Sequence, residues 1–310
     1  MTKTKIKVGS RASSLALVQT NWVINELKKF FPAYEYEIIE IKTIGDKILD
    51  KTLDKIGGKG LFVKEIEAAL LEKKIDLAVH SMKDVPTEMV DDLMIGAITK
   101  REDVRDILIS KNNIELDQLS KNARIGTSSL RRAAQLLNYR PDLMIEPIRG
   151  NIQTRMKKIE TMNLDGVILA AAGINRMGWN NKISQHIHND ICTPAVGQGA
   201  LGIQIRTNDS LIQSMIGKLN DSVTEYAVKA ERSFMRELKG GCHTPIGAYG
   251  YVENDRLYMN AIISTTDGKQ IIRLKDDCKL EDCEKMGIKM AREGLNKGGK
   301  EILENIERND

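Results

Sequence analysis

Aromatic residues are scarce in this chain: four Phe, two Trp and seven Tyr make up 4% of 310 residues. The cores must therefore rest on Ile, Leu, Val, Ala and Met, within a hydrophobic share of 41%. So few rings offer no stacking platform for single-stranded nucleic acid. Charge of one sign is lacking too, since the formal net charge is only +4, too mild taken whole to argue for nucleic acid. No apolar run reaches the length of a membrane span. The polar start, residues 1–10, runs straight into strand-like alternation and reads as no export signal. The four cysteines, Cys192, Cys242, Cys278 and Cys283, form no CxxC pair, and the chain is neither small nor cysteine-dense. The expectation is a reduced, cytoplasmic protein of two or three domains.

What is present is an alternation of strand and helix signals. Residues 4–8 alternate like a strand and meet Gly9-Ser10-Arg11. A helix follows with Leu15, Val18 and Trp22 on one face and Ser13 or Ser14 placed to cap it. Residues 34–41 read as a strand, and 46–60, rich in Lys, Asp and Gly, as a mobile loop. Phe62, Ile66 and Ala69 restore helical spacing, and 75–80 form a short apolar strand ending at Ser81-Met82-Lys83-Asp84-Val85-Pro86. Such alternation predicts a parallel α/β sheet. A second α/β unit begins near Arg105, and its strand ends repeat one theme. Residues 123–126 lead into Thr127-Ser128-Ser129 and a helix bearing Arg131 and Arg132. Residues 144–148 lead into Arg149-Gly150-Asn151 and a helix bearing Arg155, and 166–172 into a helix bearing Arg176. From about 220 the pattern changes to a helix over 224–238 ending at Gly240-Gly241-Cys242. Hairpin-linked strands at 248–252, 257–264 and 270–274 and a helix over 280–295 follow, an α+β unit.

Ligands of open α/β sheets bind beyond the carboxyl ends of the strands. A single Arg is ordinarily solvated surface charge. Arg11, Lys83, Arg131, Arg132, Arg149, Arg155 and Arg176, however, recur at the same topological place in successive units. Helix N-termini and arginine forks there favour a ligand with several carboxylates or phosphates. A lone Asp before Val-Pro, as Asp84 is, is more often a turn residue than a catalyst. Set among cations, it suits stabilising a positive charge better than donating a proton. A buried, inert cysteine is the usual reading, but glycines on both sides of Cys242 predict an accessible loop where a thiolate could carry a group. His80, His186, His188 and Cys192 match no standard zinc spacing and read as non-metal.

Those same stretches carry a resemblance. Gly9-Ser10-Arg11 with Ser13-Ser14-Leu15-Ala16, Thr43-Ile44-Gly45-Asp46, Gly58-Lys59-Gly60-Leu61-Phe62, 80–86, 126–132, Arg149-Gly150-Asn151 with Thr154-Arg155, 194–200, and Gly240-Gly241-Cys242 with Pro245-Ile246-Gly247 occur in order along nearly the whole chain. In them the chain resembles the hydroxymethylbilane synthase (porphobilinogen deaminase) family. The resemblance implies two α/β domains like the halves of a type 2 periplasmic binding protein, at 1–99 with 199–218 and at 100–198, with the active site in the cleft between them. A smaller C-terminal α+β domain at 219–310 would present the cofactor cysteine. It implies a transferase of porphyrin and heme biosynthesis. Four porphobilinogen molecules would be condensed, each losing ammonia, onto a dipyrromethane cofactor held by Cys242 through a thioether, and the linear tetrapyrrole then released by hydrolysis. It further implies that Asp84 hydrogen-bonds pyrrole N–H groups, and that Lys83, Asp84, Thr127, Ser128, Ser129, Arg131 and Arg132 hold the cofactor. Arg11, Ser13, Lys83, Arg149, Arg155 and Arg176 would bind substrate or chain carboxylates, and Lys55, Lys59 and Phe62 would fall in or beside a lid. No metal is implied, and the chain would act as a monomer on a small molecule, with neither nucleic acid nor membrane.

The sequence departs from the family at Val104, where the pattern usually has proline, which touches inter-domain stiffness rather than chemistry. Cys192, Cys278 and Cys283 match no functional motif. Two rival functions remain in view. A two-lobed anion- or solute-binding protein without catalysis is opposed by the missing export signal and by the Cys242 loop. Nucleic-acid binding is opposed by the scarcity of aromatics and by cations at strand ends rather than along one helix face.

Overall fold

A computed structural model describes residues 4–47, 63–241 and 244–309. Packing divides these into two compact units, one made of 4–47, 63–102 and 200–225, the other of 103–199 and the described part of 226–309. Among the described residues no helix is long and apolar enough to cross a membrane.

The first unit begins with strand β1 (Lys5–Arg11), helix α1 (Ser14–Phe30), strand β2 (Glu35–Ile41) and the single turn α2 (Ile44–Lys47). It continues with α3 (Lys64–Leu71), β3 (Leu77–Ser81) and β4 (Leu93–Ile98). The chain returns to it much later with β10, numbered in chain order (Leu201–Arg206), and α7 (Ser210–Ile216). The sheet order is β2-β1-β3-β10-β4. Strand β1 runs parallel to β2 and β3, but β10 runs antiparallel to β3 and β4. The sheet is thus mixed, where strand–helix alternation predicted a parallel one. The returning β10 does not follow its neighbours through a crossover helix, so nothing obliges it to run parallel. All six of its residues are buried.

Helix α1 starts where Ser13 Oγ accepts from the Ala16 amide at 3.3 Å. Its buried face is not the one expected. Gln19, Thr20, Val23, Ile24 and Leu27 face inward, and Trp22 is 42% exposed. Two of the inward residues are polar and partnered: Thr20 Oγ1 donates to Ser10 Oγ at 2.9 Å, and the Gln19 amide donates to Ser81 Oγ at 3.1 Å. Satisfied polar groups rotate the helix away from the face that hydrophobic spacing alone selects.

The second unit carries β5 (Asp106–Ser110), β6 (Arg124–Gly126), α4 (Leu130–Tyr139), β7 (Met144–Glu146), α5 (Ile152–Thr161), β8 (Gly166–Ala170), α6 (Ala171–Arg176) and the short β9 (Gln185–His186). Their order, β7-β6-β8-β5-β9, repeats the first unit's arrangement: three parallel strands, then one antiparallel to both its neighbours. The same unit holds α8 (Ser222–Glu237) from Tyr226 onward and the antiparallel meander β11 (Ile246–Glu253), β12 (Arg256–Ser264) and β13 (Ile271–Lys279). It closes with α9 (Cys283–Gly294) and α10 (Lys300–Asn309). The β11–β12 turn uses Asn254 and Asp255, both at positive φ (49° and 57°), as a tight hairpin requires. Strand β13 continues to Lys279, past the expected end at 274, because inward Ile272 and Leu274 are followed by half-buried Asp276 and Cys278 in the same alternation. Phe234, Met259, Met286 and Met290 fill the core beneath this sheet.

One carboxylate ties α8 to its surroundings. Glu231 is 0% exposed; its Oε2 accepts from the Gly197 amide at 2.7 Å and its Oε1 from the Gly250 amide at 2.8 Å. Glu231→Gln turns one acceptor into a donor facing a buried N–H. It is expected to lower stability by about 1–3 kcal/mol, read as a lower thermal unfolding midpoint. An unchanged midpoint would show that one of the two amides does not depend on this side chain.

Candidate active site

In the first unit, parallel β1 and β3 lie side by side, so their carboxyl ends share one edge. Arg11 ends β1 and is half-buried, with Ser13 next along as the α1 cap. After β3 comes a single 3-10 turn, Met82–Asp84, closed by the Val85 amide donating to the Met82 carbonyl at 3.2 Å. Lys83 and Asp84 are half-buried in it, so Asp84 is both a turn residue and a strand-end residue.

Behind this edge stands a group that sequence reasoning weighed only as a metal ligand. His80 is 5% exposed, and its Nε2 lies 2.9 Å from Gln204 Oε1. Gln204 Nε2 in turn donates to Glu67 Oε1 at 3.1 Å. Because the Gln204 amide nitrogen is spent on Glu67, its oxygen faces His80, and the imidazole donates from Nε2. Burial pushes the His80 pKa down to about 4; the Gln204 bond and the charge of Asp84 oppose the shift, and Arg11 adds to it. The first unit therefore backs its edge with a neutral imidazole.

In the second unit β7, β6 and β8 deliver three strand ends to one edge. After β6, Thr127 is buried and its Oγ1 accepts from the Ser129 amide at 3.2 Å. Ser128 Oγ donates to the Ile148 carbonyl at 2.7 Å, and Ser129 Oγ caps α4 by accepting from the Arg132 amide at 3.4 Å. After β7, Arg149 is half-buried and Asn151 caps α5, its Oδ1 accepting from the Thr154 amide at 2.9 Å. Gly150 takes φ 108°, which a side chain resists. Arg155 Nε donates to the Gly150 carbonyl at 2.8 Å, and Arg176 Nη2 to the Gly199 carbonyl at 2.7 Å.

Arg131 and Arg132 do not stand at a solvated edge as the strand-end pattern implied. They are 4% and 5% exposed, and both ion-pair with Asp106, which is 0% exposed. Asp106 Oδ1 accepts from Arg132 Nε and Nη2 at 3.0 and 2.7 Å and from Gln198 Nε2 at 3.0 Å. Oδ2 accepts from Arg131 Nη1 at 2.7 Å and from the Cys192 thiol at 3.2 Å. Arg131 Nη1 also reaches the Thr193 carbonyl at 2.6 Å, and Arg132 Nη1 the Ile168 carbonyl at 3.2 Å. Burial works to raise the Asp106 pKa, but the charges and hydrogen bonds of the two arginines hold it far below the usual carboxylate range. Burial pushes the Cys192 thiol up to about 12, with Asp106 adding to the shift. Among the described residues the cluster is thus two cations and one anion, a buried net charge of one positive. That donor set fits a ligand bearing carboxylates. Sequence patterning assigned Asp106, Gln198 and Cys192 no part in holding the arginines; Cys192 was weighed there only as a metal ligand, and Gln198 fell within the 194–200 stretch. The only signal was Asp106 itself, two residues past Val104, whose carbonyl accepts from Gln198 Nε2 at 2.7 Å.

Cys242, Lys55, Lys59 and Phe62 lie outside the described residues. On either side of 242–243, the Gly241 amide donates to Thr244 Oγ1 at 3.0 Å and the Thr244 amide to the Gly241 carbonyl at 3.1 Å. Cys192, Cys278 and Cys283 are free thiols; burial pushes Cys278 up to about 11 and raises Cys283. Among the described residues no group of His, Cys, Asp and Glu is placed to hold a metal ion.

The neutral imidazole has a consequence for stability. With a folded pKa of about 4 against an ordinary 6.5, His80 contributes stability that is complete above pH 6.5 and is lost as pH falls toward 4. The loss amounts to about 3 kcal/mol. The stability difference between the parent and His80→Gln, measured by denaturant unfolding, is therefore expected to shrink by that amount between pH 7 and pH 4. A difference constant across that range would show that His80 titrates normally.

Comparison with known proteins completes the picture. The family model described as "Porphobilinogen deaminase, dipyromethane cofactor binding domain" matches residues 6–214, and "Porphobilinogen deaminase, C-terminal domain" matches 225–296. A porphobilinogen deaminase of Alkaliphilus metalliredigens is 54% identical over 301 residues, covering 97% of this chain and 95% of that one. One of Desulforamulus reducens is 51% identical over 304 residues, covering 98% of each. Among solved structures, the periplasmic aliphatic sulphonate binding protein SsuA of Escherichia coli aligns with a TM-score of 0.41 and 13% identity over 76% of this chain and 71% of that one, too loosely to carry an argument. With both family models matched in order and about half of the aligned residues shared with relatives along nearly their full length, the chain belongs to the porphobilinogen deaminase family.

Proposed function

We infer that this protein is a transferase of tetrapyrrole biosynthesis, a hydroxymethylbilane synthase that condenses four porphobilinogen molecules in line on a dipyrromethane primer and then releases the linear product by hydrolysis. Family membership along the whole chain carries this reading. The buried Arg131–Arg132 pair supports it, because each porphobilinogen ring brings two carboxylates. A solute-binding protein without catalysis is not favoured by the same relatives.

Cys242 would hold the primer through a thioether, and the primer would supply a pyrrole with a free α-carbon as nucleophile. In each cycle the aminomethyl C–N bond of porphobilinogen breaks and ammonia leaves. The primer would supply the carbon to which the substrate's methylene carbon is joined, and the proton displaced from it would balance the one carried off by the leaving ammonia. The electron-poor azafulvene left by ammonia is cationic when protonated. Asp84, beside the pyrrole N–H, favours that charged state over neutral substrate, which accelerates the step rather than merely tightening binding. Lys83, Thr127, Ser128, Ser129, Arg131 and Arg132 hold the primer. Arg11, Ser13, Arg149, Arg155 and Arg176 take the carboxylates of substrate and growing chain, and Lys55, Lys59 and Phe62 belong to a lid. The chain is organised as domains at 1–99 with 199–218, 100–198 and 219–310. It works as a cytoplasmic monomer on a small molecule, without nucleic acid.

Attachment is tested by intact mass. The parent is expected to exceed its sequence mass by two pyrrole units, Cys242→Ser to lose that increment, and Cys192→Ser, Cys278→Ser and Cys283→Ser to keep it. An increment surviving in Cys242→Ser would move the site elsewhere. For Asp84, Asn keeps the shape and removes the charge. Asp84→Asn is expected to fold and bind substrate yet turn over on the order of 100-fold more slowly, with Asp84→Glu less affected. A stable Asp84→Asn enzyme of near-normal rate would leave Asp84 as a turn residue only.

A further inference from the structure

The Arg131–Arg132 cluster has a feature that family membership does not explain: two like charges on consecutive residues of one helix turn are taken out of water together. Both arginines are buried, and among the described residues the carboxylate in each of their ion pairs is that of Asp106. Five donors converge on Asp106: Arg132 Nε and Nη2 with Gln198 Nε2 on one oxygen, Arg131 Nη1 with the Cys192 thiol on the other. A carboxylate so fully claimed cannot turn to serve a ligand. It can only hold the two forks where they are.

We propose that Asp106 is a positioning residue for the carboxylate-bearing primer: it fixes the Arg131 and Arg132 forks in one arrangement and sets their joint charge to one positive, so that the pair takes one carboxylate. This rests on the preceding reading of Cys242 and its primer. The charge count carries the argument. A buried net charge is costly unless a counter-ion completes it. Without Asp106 the pair would carry two positive charges and call for two anions; with a second internal carboxylate it would call for none. Cys192 does not alter the sum, because its thiol, pushed up to about 12, stays protonated. Among the described residues the remaining partners, Gln198 and the carbonyls of Thr193 and Ile168, are neutral.

The test reads the fraction of purified molecules carrying the two-pyrrole mass increment, together with the thermal midpoint of the same samples. Asp106→Asn is expected to lower that fraction about tenfold or more, since it leaves two buried guanidiniums without their carboxylate; Asp106→Glu, which restores the charge, recovers part of it. Should Asp106→Asn fail to fold, Cys192→Asp decides. Held at about pH 8 to keep it ionised, the new carboxylate adds a negative charge beside Arg131, in place of the thiol that donates to Asp106 Oδ2, and replaces no partner that Arg132 contacts directly. The completed cluster then has no charge left for the primer. Cys192→Asp is expected to match Cys192→Asn in midpoint and to carry the increment about tenfold less often, while Cys192→Asn keeps at least half of the parent's. Equal occupancy in Cys192→Asp and Cys192→Asn would overturn the proposal. So would a Cys192→Asp protein much less stable than Cys192→Asn, because the cluster would then have no place for another negative charge. A parent without the increment, or an increment that survives Cys242→Ser, would instead sink the reading of the primer site, and this role with it.

Discussion

Two guanidiniums side by side in the first turn of a helix repel one another and resist burial. Asp106 makes their burial possible, and much of the second unit is arranged around that carboxylate. It is the first residue of β5, so it fixes where the antiparallel strand begins. Through Arg131 and Arg132 it holds the start of α4, and through Gln198 and Cys192 it holds the segment leading out of the unit. Three stretches of chain, far apart in sequence, meet on one buried anion. Removing it would leave uncompensated charge at a cost of about 3–5 kcal/mol. Replacing the whole cluster by apolar side chains could be neutral for stability.

The first unit solves a related problem by the opposite means. Behind its strand edge, the His80–Gln204–Glu67 chain carries hydrogen bonds through neutral groups at its edge-facing end, and burial keeps the imidazole uncharged at physiological pH. A neutral imidazole beside Asp84 adds no positive charge to those of Arg11 and Lys83 at the same edge. An imidazolium there would compete with the cation that Asp84 is proposed to favour. The two units thus share a sheet arrangement and differ in electrostatics: one edge is backed by a neutral imidazole, the other by an ion cluster with one positive charge to spare.

Much of this could be read from the sequence, and the misses have physical causes. The α/β character of both units and the α+β C-terminal part follow from periodicity, and the family from motifs at strand ends. The antiparallel β10 and β5 were not legible, because alternation of strand and helix says nothing of a strand that arrives without a crossover. The inward face of α1 was misjudged because Thr20 and Gln19 are buried through hydrogen bonds to Ser10 and Ser81, partners that no hydrophobic pattern reveals. Arg131 and Arg132 were found by topology, but their burial was not, since Asp106 lies 25 and 26 residues away. Long-range ion pairs leave no periodic trace, so a polar core cluster looks in sequence like surface charge.

The central claim is that this chain builds a tetrapyrrole stepwise on itself. Intact mass before and after porphobilinogen is added tests it most directly. The account predicts a resting mass above that of the sequence by two pyrrole units, followed by discrete further increments of one pyrrole unit each as substrate is supplied, all absent in Cys242→Ser. A mass equal to that of the sequence before substrate and unchanged after it, in a folded parent protein, would contradict the account.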